Sequence, residues 1–292
     1  MSVQTDDLAS LEAGLDALET HELVRRSRVA KAWAAAWPPV VFLGLLVGIW
    51  QLVYVAKVVA PYRLPSPADV WTEFRYQLTR DNGSLVEASL SSVRRGLFGF
   101  AASLVIGTPL GLLVGRVRPV RRAVGPILSG LQSLPSVAWV PASILWFGFS
   151  DATIYFVVLM GAVPSIANGM VSGLDQVPPL YLRVGRVLGA RGLASARHVL
   201  LPAALPGYVG GLRQGWAFSW RSLMAAELIV HSPELGLGVG QLLELSRTNS
   251  NIEGVFADIL AILAIGIAIE LCLFAPLERR VLRRRGLLAA TV

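Results

Sequence analysis

Charge is the first scarcity. Only 15% of the 292 residues are charged, where a soluble globular chain carries about 25%. Hydrophobic residues make up 54% and the mean hydropathy is +0.60. This balance points to lipid rather than to a large soluble core. Cysteine is nearly absent too. The lone Cys272 lies in an apolar run, so it offers neither a disulfide nor a metal site and is expected as a small buried hydrophobe. His21, His198 and His231 are scattered, which gives no metal-ligand spacing. No Gly-x4-Gly-Lys-Ser/Thr phosphate loop occurs, so any ATP chemistry belongs to another chain. No histidine stands beside a serine and an aspartate to suggest a triad, and no catalytic residue, metal or cofactor is assigned to this chain. The first thirty residues lack an apolar core, so no signal peptide is expected. The net charge of +7 comes from short arginine clusters between apolar runs, the pattern of membrane topology rather than of a nucleic-acid partner.

A membrane helix needs roughly 20 mostly apolar residues. The expectation is an all-α integral membrane protein, because backbone groups in hydrocarbon must satisfy one another. About six spans are expected: Trp37–Ala56, Ser89–Gly115, Val124–Phe147, Asp151–Ser172, Pro206–Val230 and Gly254–Leu277. Pro38 and Pro39 fit the first turn of the first span. Gly107, Gly111 and Gly115 fall four apart on one face of the second, a spacing that lets backbones approach closely in lipid. Pro135 and Pro141 interrupt the third. Residues 32–285 form the membrane domain. Residues 1–31, with Leu8, Leu11, Leu15 and Leu18 at helical spacing, form an amphipathic segment before it. That segment is read either as a loosely ordered surface helix or as a docking helix. Residues 286–292 form a tail.

An even number of spans puts both termini on one side. Arginines cluster at Arg25–Arg28, Arg116–Arg122, Arg183–Arg197 and Arg279–Arg285. These clusters would all share one face, and the positive-inside rule makes it the cytoplasm.

The third cluster contains Arg183-Val184-Gly185-Arg186-Val187-Leu188-Gly189, then nine residues, then Val199-Leu200-Leu201-Pro202. This stretch resembles the EAA loop of ABC importer permeases: Glu-Ala-Ala, three residues, Gly, nine residues, Ile-x-Leu-Pro. The spacing is intact, with Gly189, Leu201 and Pro202 in place, while Arg183 and Gly185 depart from the pattern. Other segments are similar to the nitrate/sulfonate/taurine branch. They are Leu64-Pro65-Ser66-Pro67, Arg95, Gly107-Thr108-Pro109-Leu110-Gly111, Trp139-Val140-Pro141, Ala226-Glu227 and Gly236-Leu237-Gly238. The resemblance covers residues 37–285. It implies a cytoplasmic coupling loop at 173–205, made of two short helices meeting near Gly189, where the turn needs positive φ. Arg183, Arg186, Val187, Leu188, Gly189, Ala190, Leu201 and Pro202 would couple it to an ATPase subunit. The implied assembly has two permease copies, two ATPase subunits that bind the ATP, and an extracytoplasmic solute-binding protein, in a bacterial inner membrane. The implied cargo is a small anion: an aliphatic sulfonate or taurine first, nitrate or bicarbonate next.

Ionisable groups inside spans are costly and signal function. Trp220, Arg221 and Glu227 on the fifth span are the pathway candidates. Arg221 would either attract an anion or form a helix–helix ion pair, and Glu227 would order the far end of its span. Glu270 on the sixth span is read as a partner for a basic residue. Two alternatives stay open: an ion-gradient-driven secondary transporter, and a permease of the same family for a thiamine precursor.

Overall fold

The computed structural model describes residues 28–60, 62–80, 84–231 and 236–285. Most of segment 1–31 and the tail 286–292 lie outside the described residues, as do Pro61, the turn expected at Asp81–Gly83, and residues 232–235. Contacts divide the chain after Ala56. The first unit is represented by α1 (Arg28–Val55), whose stretch Trp37–Val55 is long and apolar enough to cross a membrane. The helix starts well before the expected Trp37, so Pro38 and Pro39 lie in its interior rather than in its first turn.

The second unit, Lys57–Leu288, opens with α2 (Pro67–Thr79). Ser66 caps it: its hydroxyl accepts from the Asp69 amide at 3.1 Å and donates to the Asp69 carboxylate at 2.7 Å, while Pro67 occupies the first helical position, which needs no amide hydrogen. Next comes α3 (Leu85–Arg116), capped by Ser84. Then α4 (Arg118–Ser133) stops at Leu134-Pro135. A 3-10 turn (Ser136–Trp139) and the short α5 (Val140–Phe147) complete the interrupted segment. Leu134 is extended because a residue before proline is pushed out of helical φ/ψ. After these run α6 (Asp151–Asp175), α7 (Pro179–Val187), the single turn α8 (Gly192–Ser195), α9 (Leu201–Ile229), α10 (Val239–Thr248), α11 (Ile252–Ile269) and α12 (Ala275–Arg283). Wide i→i+5 turns join α8 to α9 (Ala196–Leu200) and α11 to α12 (Glu270–Phe274).

Among the described residues, four stretches meet the length and apolarity of a span: Trp37–Val55, Leu85–Arg116, Asp151–Asp175 and Ile252–Arg283. The other two expected spans take different forms. The third is divided at Pro135, and the fifth is a continuous 29-residue helix that carries Arg213, Arg221 and Glu227.

Helix α6 is central. Of its span, 56% is buried, against 11% for the span that contains α11. It packs between α3 and α9, and glycines set both contacts. A Cβ on Gly111 would lie 2.6 Å from the Ala167 carbonyl oxygen, and one on Gly169 would lie 2.4 Å from the Cα of Gly211. Backbone therefore meets backbone at these crossings, the contact that replaces the hydrophobic drive helices lack in lipid. Around them Phe100, Ile154, Val158, Ile166, Trp216 and Leu223 form the main core. Phe100 meets Trp216 edge-on, with ring centres 5.5 Å apart. Cys272, expected inside, is exposed on the outer surface of the α11–α12 run. An apolar run in a membrane protein need not be buried in protein.

Candidate functional site

The loop between α6 and α9 is built as two arms. Helix α7 ends in a reverse turn: Gly189 donates its amide to the Arg186 carbonyl at 3.1 Å, and Ala190 donates to Gly185 at 2.8 Å. Gly189 stands at φ 83°. This pairing is a Schellman motif, whose left-handed position favours glycine. The arms close on each other through Gly185. A Cβ there would lie 2.8 Å from Val199 Cγ2, so the departure from alanine at this position admits the second arm. Val177, Leu200 and Ala204 bury the base, with Leu201 and Pro202 opening α9. At the tip Val187 and Leu188 are 86% and 79% exposed, and Arg183 and Arg186 are exposed beside them. The turn thus holds two apolar side chains bare of packing within this chain.

The three pathway candidates do not converge on one cavity. Trp220 is 7% exposed and stacks on Trp216, ring centres 6.1 Å apart. Arg221 is exposed. Its Nε donates to the Ala217 carbonyl at 3.1 Å, and its guanidinium lies 4.6 Å from the centre of the Phe218 ring. It lines two openings. One is a groove of about 580 Å³ between α9 and α11, shared with Trp216, Trp220 and Glu270. The other is a cleft of about 280 Å³ at the α4 break, where Gln132, Ser133, Ser136 and Gly161 also line the wall. Ser136 and Ser222 are hydrogen-bonded hydroxyl to hydroxyl at 2.7 Å, and Asn168 Nδ2 donates to Gln132 Oε1 at 2.8 Å. The break at Pro135 thus places polar side chains against the middle of α9.

Glu227 is sealed away from both openings. It is fully buried and accepts from Arg95 Nη1 at 2.9 Å, from Ser92 Oγ at 2.7 Å and from the Gly240 amide at 3.1 Å. Arg95, itself 2% exposed, also donates to the Gly236 carbonyl at 2.6 Å. Gly238 and Gly240 are required here, because a Cβ on either would lie 2.6 Å from a Glu227 side-chain atom. The carboxylate sits at the start of α10, where free amides favour negative charge. This network joins Arg95, Glu227 and the Gly236-Leu237-Gly238 segment. Arg95 is the functional residue that sequence reasoning left without a role, although an arginine within an apolar run demands a partner.

Three further ion pairs frame α9 and α6. Arg213 meets Glu270 at 2.5 Å and Glu278 at 3.2 Å. Arg121 makes a two-pronged contact with Asp175, at 2.7 and 2.6 Å, which pushes its guanidinium further up from its ordinary value. That last pair is nearly half exposed, so it contributes little stability.

Long packed helices, four of them with stretches long and apolar enough to cross a membrane, and charged groups on a long packed helix are the features of a multi-pass membrane protein. A family model for the binding-protein-dependent transport system inner membrane component matches residues 107–283, and the chain belongs to that family. It is an ABC importer permease of the type I family, in the nitrate/sulfonate/taurine branch. A putative ABC transporter permease protein of Methanocaldococcus jannaschii is 30% identical, over 77% of this chain and 84% of its own length. The taurine transport system permease protein TauC of Escherichia coli is 29% identical, over 82% of this chain and 86% of its own. An inward-facing structure of the MetNI methionine ABC transporter shares the fold, with a TM-score of 0.59 at 21% identity, covering 68% of this chain and 95% of that one.

Proposed function

We propose that this permease carries a small anion, an aliphatic sulfonate or taurine before nitrate or bicarbonate, into the cytoplasm by alternating access. The observation that carries this reading is Arg221. It is an exposed guanidinium on a membrane helix, it faces the cleft at the α4 break, and no acidic side chain among the described residues pairs with it. A cation in that setting attracts a compact anion. The taurine-transport relative has by name a sulfonate cargo, which agrees with it. Two copies of this chain, two ATPase subunits and a solute-binding protein form the working assembly. The tip at Val187, Leu188, Gly189 and Ala190 transmits ATPase closure to α9.

Arg221→Ala is expected to lower taurine or sulfonate uptake by about tenfold or more, the scale of losing one charge contact, with assembly unchanged. Arg221→Lys keeps the charge and is expected to retain part of the rate. Uptake unchanged in correctly inserted Arg221→Ala would remove the arginine from the pathway and with it the case for an anion.

The arginine clusters also favour an orientation with both termini in the cytoplasm. In a Cys272→Ser background, a cysteine at the exposed Asn249 is expected to react with an impermeant maleimide from outside, and one at the exposed Arg118 is not. The reverse pattern would invert the orientation.

A further inference from the structure

A third opening is unlike those beside Arg221. It is an apolar crevice of about 530 Å³ between the last turns of α3 and the segment that leads into α9. Leu112, Leu113, Val117 and Leu201 are among its walls, and the charged lining residues among those described are Arg116 and Arg197, both exposed. No acidic side chain lines it. Neither arginine has an ion pair among the described residues, whereas the nearby Arg121 is held by Asp175. The crevice therefore carries two positive charges in an otherwise apolar lining.

Its place along the span matters. Helix α3 has 32 residues, roughly 48 Å at 1.5 Å per residue, against about 30 Å of hydrocarbon. A helix of that length centred on the hydrocarbon carries its final turn, with Leu113 and Arg116, to about the depth of the phosphates. Paired cations above an apolar slot at that depth suit one molecule, whose phosphate meets the guanidiniums while its acyl chain follows the helix.

We propose that the crevice binds one anionic phospholipid, its phosphate held by Arg116 and Arg197 and an acyl chain lying along Leu112, Leu113 and Leu201. One wall belongs to moving parts of the proposed cycle: Arg197 lies in the second arm of the coupling loop, and Leu201 begins α9. A bound lipid would thus brace the base of the loop against α3.

Native mass spectrometry of the full-length chain in detergent tests this, using phosphatidylglycerol and phosphatidylcholine with identical chains. Phosphatidylglycerol is expected to bind and phosphatidylcholine to bind much more weakly. Arg116→Gln or Arg197→Gln is expected to weaken phosphatidylglycerol about fivefold each, and the pair about 30-fold. Leu113→Gln should weaken it as well, while Arg75→Gln on the exposed face of α2 should not. Arg116→Lys with Arg197→Lys keeps the charge, is expected to keep most of the binding, and guards against loss of fold. Four results would overturn the assignment: equal affinity for the two lipids, undiminished binding by the double glutamine variant, displacement by millimolar inorganic phosphate, or loss of the lipid when purified ATPase subunit occupies the crevice.

Discussion

Glu227→Ala is expected to destabilise the permease by about 3–5 kcal/mol, because it leaves the Arg95 guanidinium buried without its counter-charge. Arg95 and Glu227 are 2% and 0% exposed, so water cannot replace the missing partner. The carboxylate also takes bonds from Ser92 and the Gly240 amide, and those donors lose their acceptor together. Arg95→Ala is expected to act in the same direction. Replacing both at once, Arg95→Met with Glu227→Leu, should recover much of the loss, since a buried pair exchanged for apolar side chains is often close to neutral. Thermal unfolding in detergent separates the cases: the single variants should melt on the order of 10 °C lower, and the double variant should not. Single variants that melt with the parent would show that the network contributes nothing to the fold.

Gly189→Val is expected to leave membrane insertion intact and to abolish uptake driven by ATP. Gly189 holds φ 83° with no neighbouring atom near its missing Cβ. The obstacle is therefore the backbone itself, not crowding. A β-branched residue in that conformation carries strain of about 1–3 kcal/mol, and relaxing it breaks the turn that presents Val187 and Leu188. Asparagine tolerates left-handed φ, so Gly189→Asn should preserve uptake. Measuring hydrolysis and uptake in the same vesicles decides the matter: hydrolysis without uptake in Gly189→Val supports a coupling joint. Normal uptake in that variant would make the loop a passive connector.

Much of this was legible in sequence, and the reason is local chemistry. The run of Gly107, Gly111 and Gly115 announced a close helix contact, and Gly111 and Gly115 do meet Ala167, Met170 and Leu174 of α6. The resemblance around Gly189 implied a turn with positive φ, and Gly189 stands at φ 83°. What escaped depended on long-range pairing. Arg95 and Glu227 are 132 residues apart, and the sequence offers several acids and several arginines without saying which meet. The cleft beside Arg221 escaped for the same reason, since it needs the Pro135 break of one helix set against the middle of another. The early start of α1 escaped because alanine-rich residues before Trp37 extend a helix without adding to its apolar signature.

Helix α9 has one more consequence. It runs unbroken for 29 residues, about 43 Å at 1.5 Å per residue. At one end it grows out of the Gly189 arm, and at the other it holds Glu227 against Arg95 and the glycines before α10. In the proposed cycle the same shaft would serve as handle and latch. Turning it by about 10° about its base sweeps the far end through roughly 7 Å, which is more than twice the length of the hydrogen bonds that fasten it there.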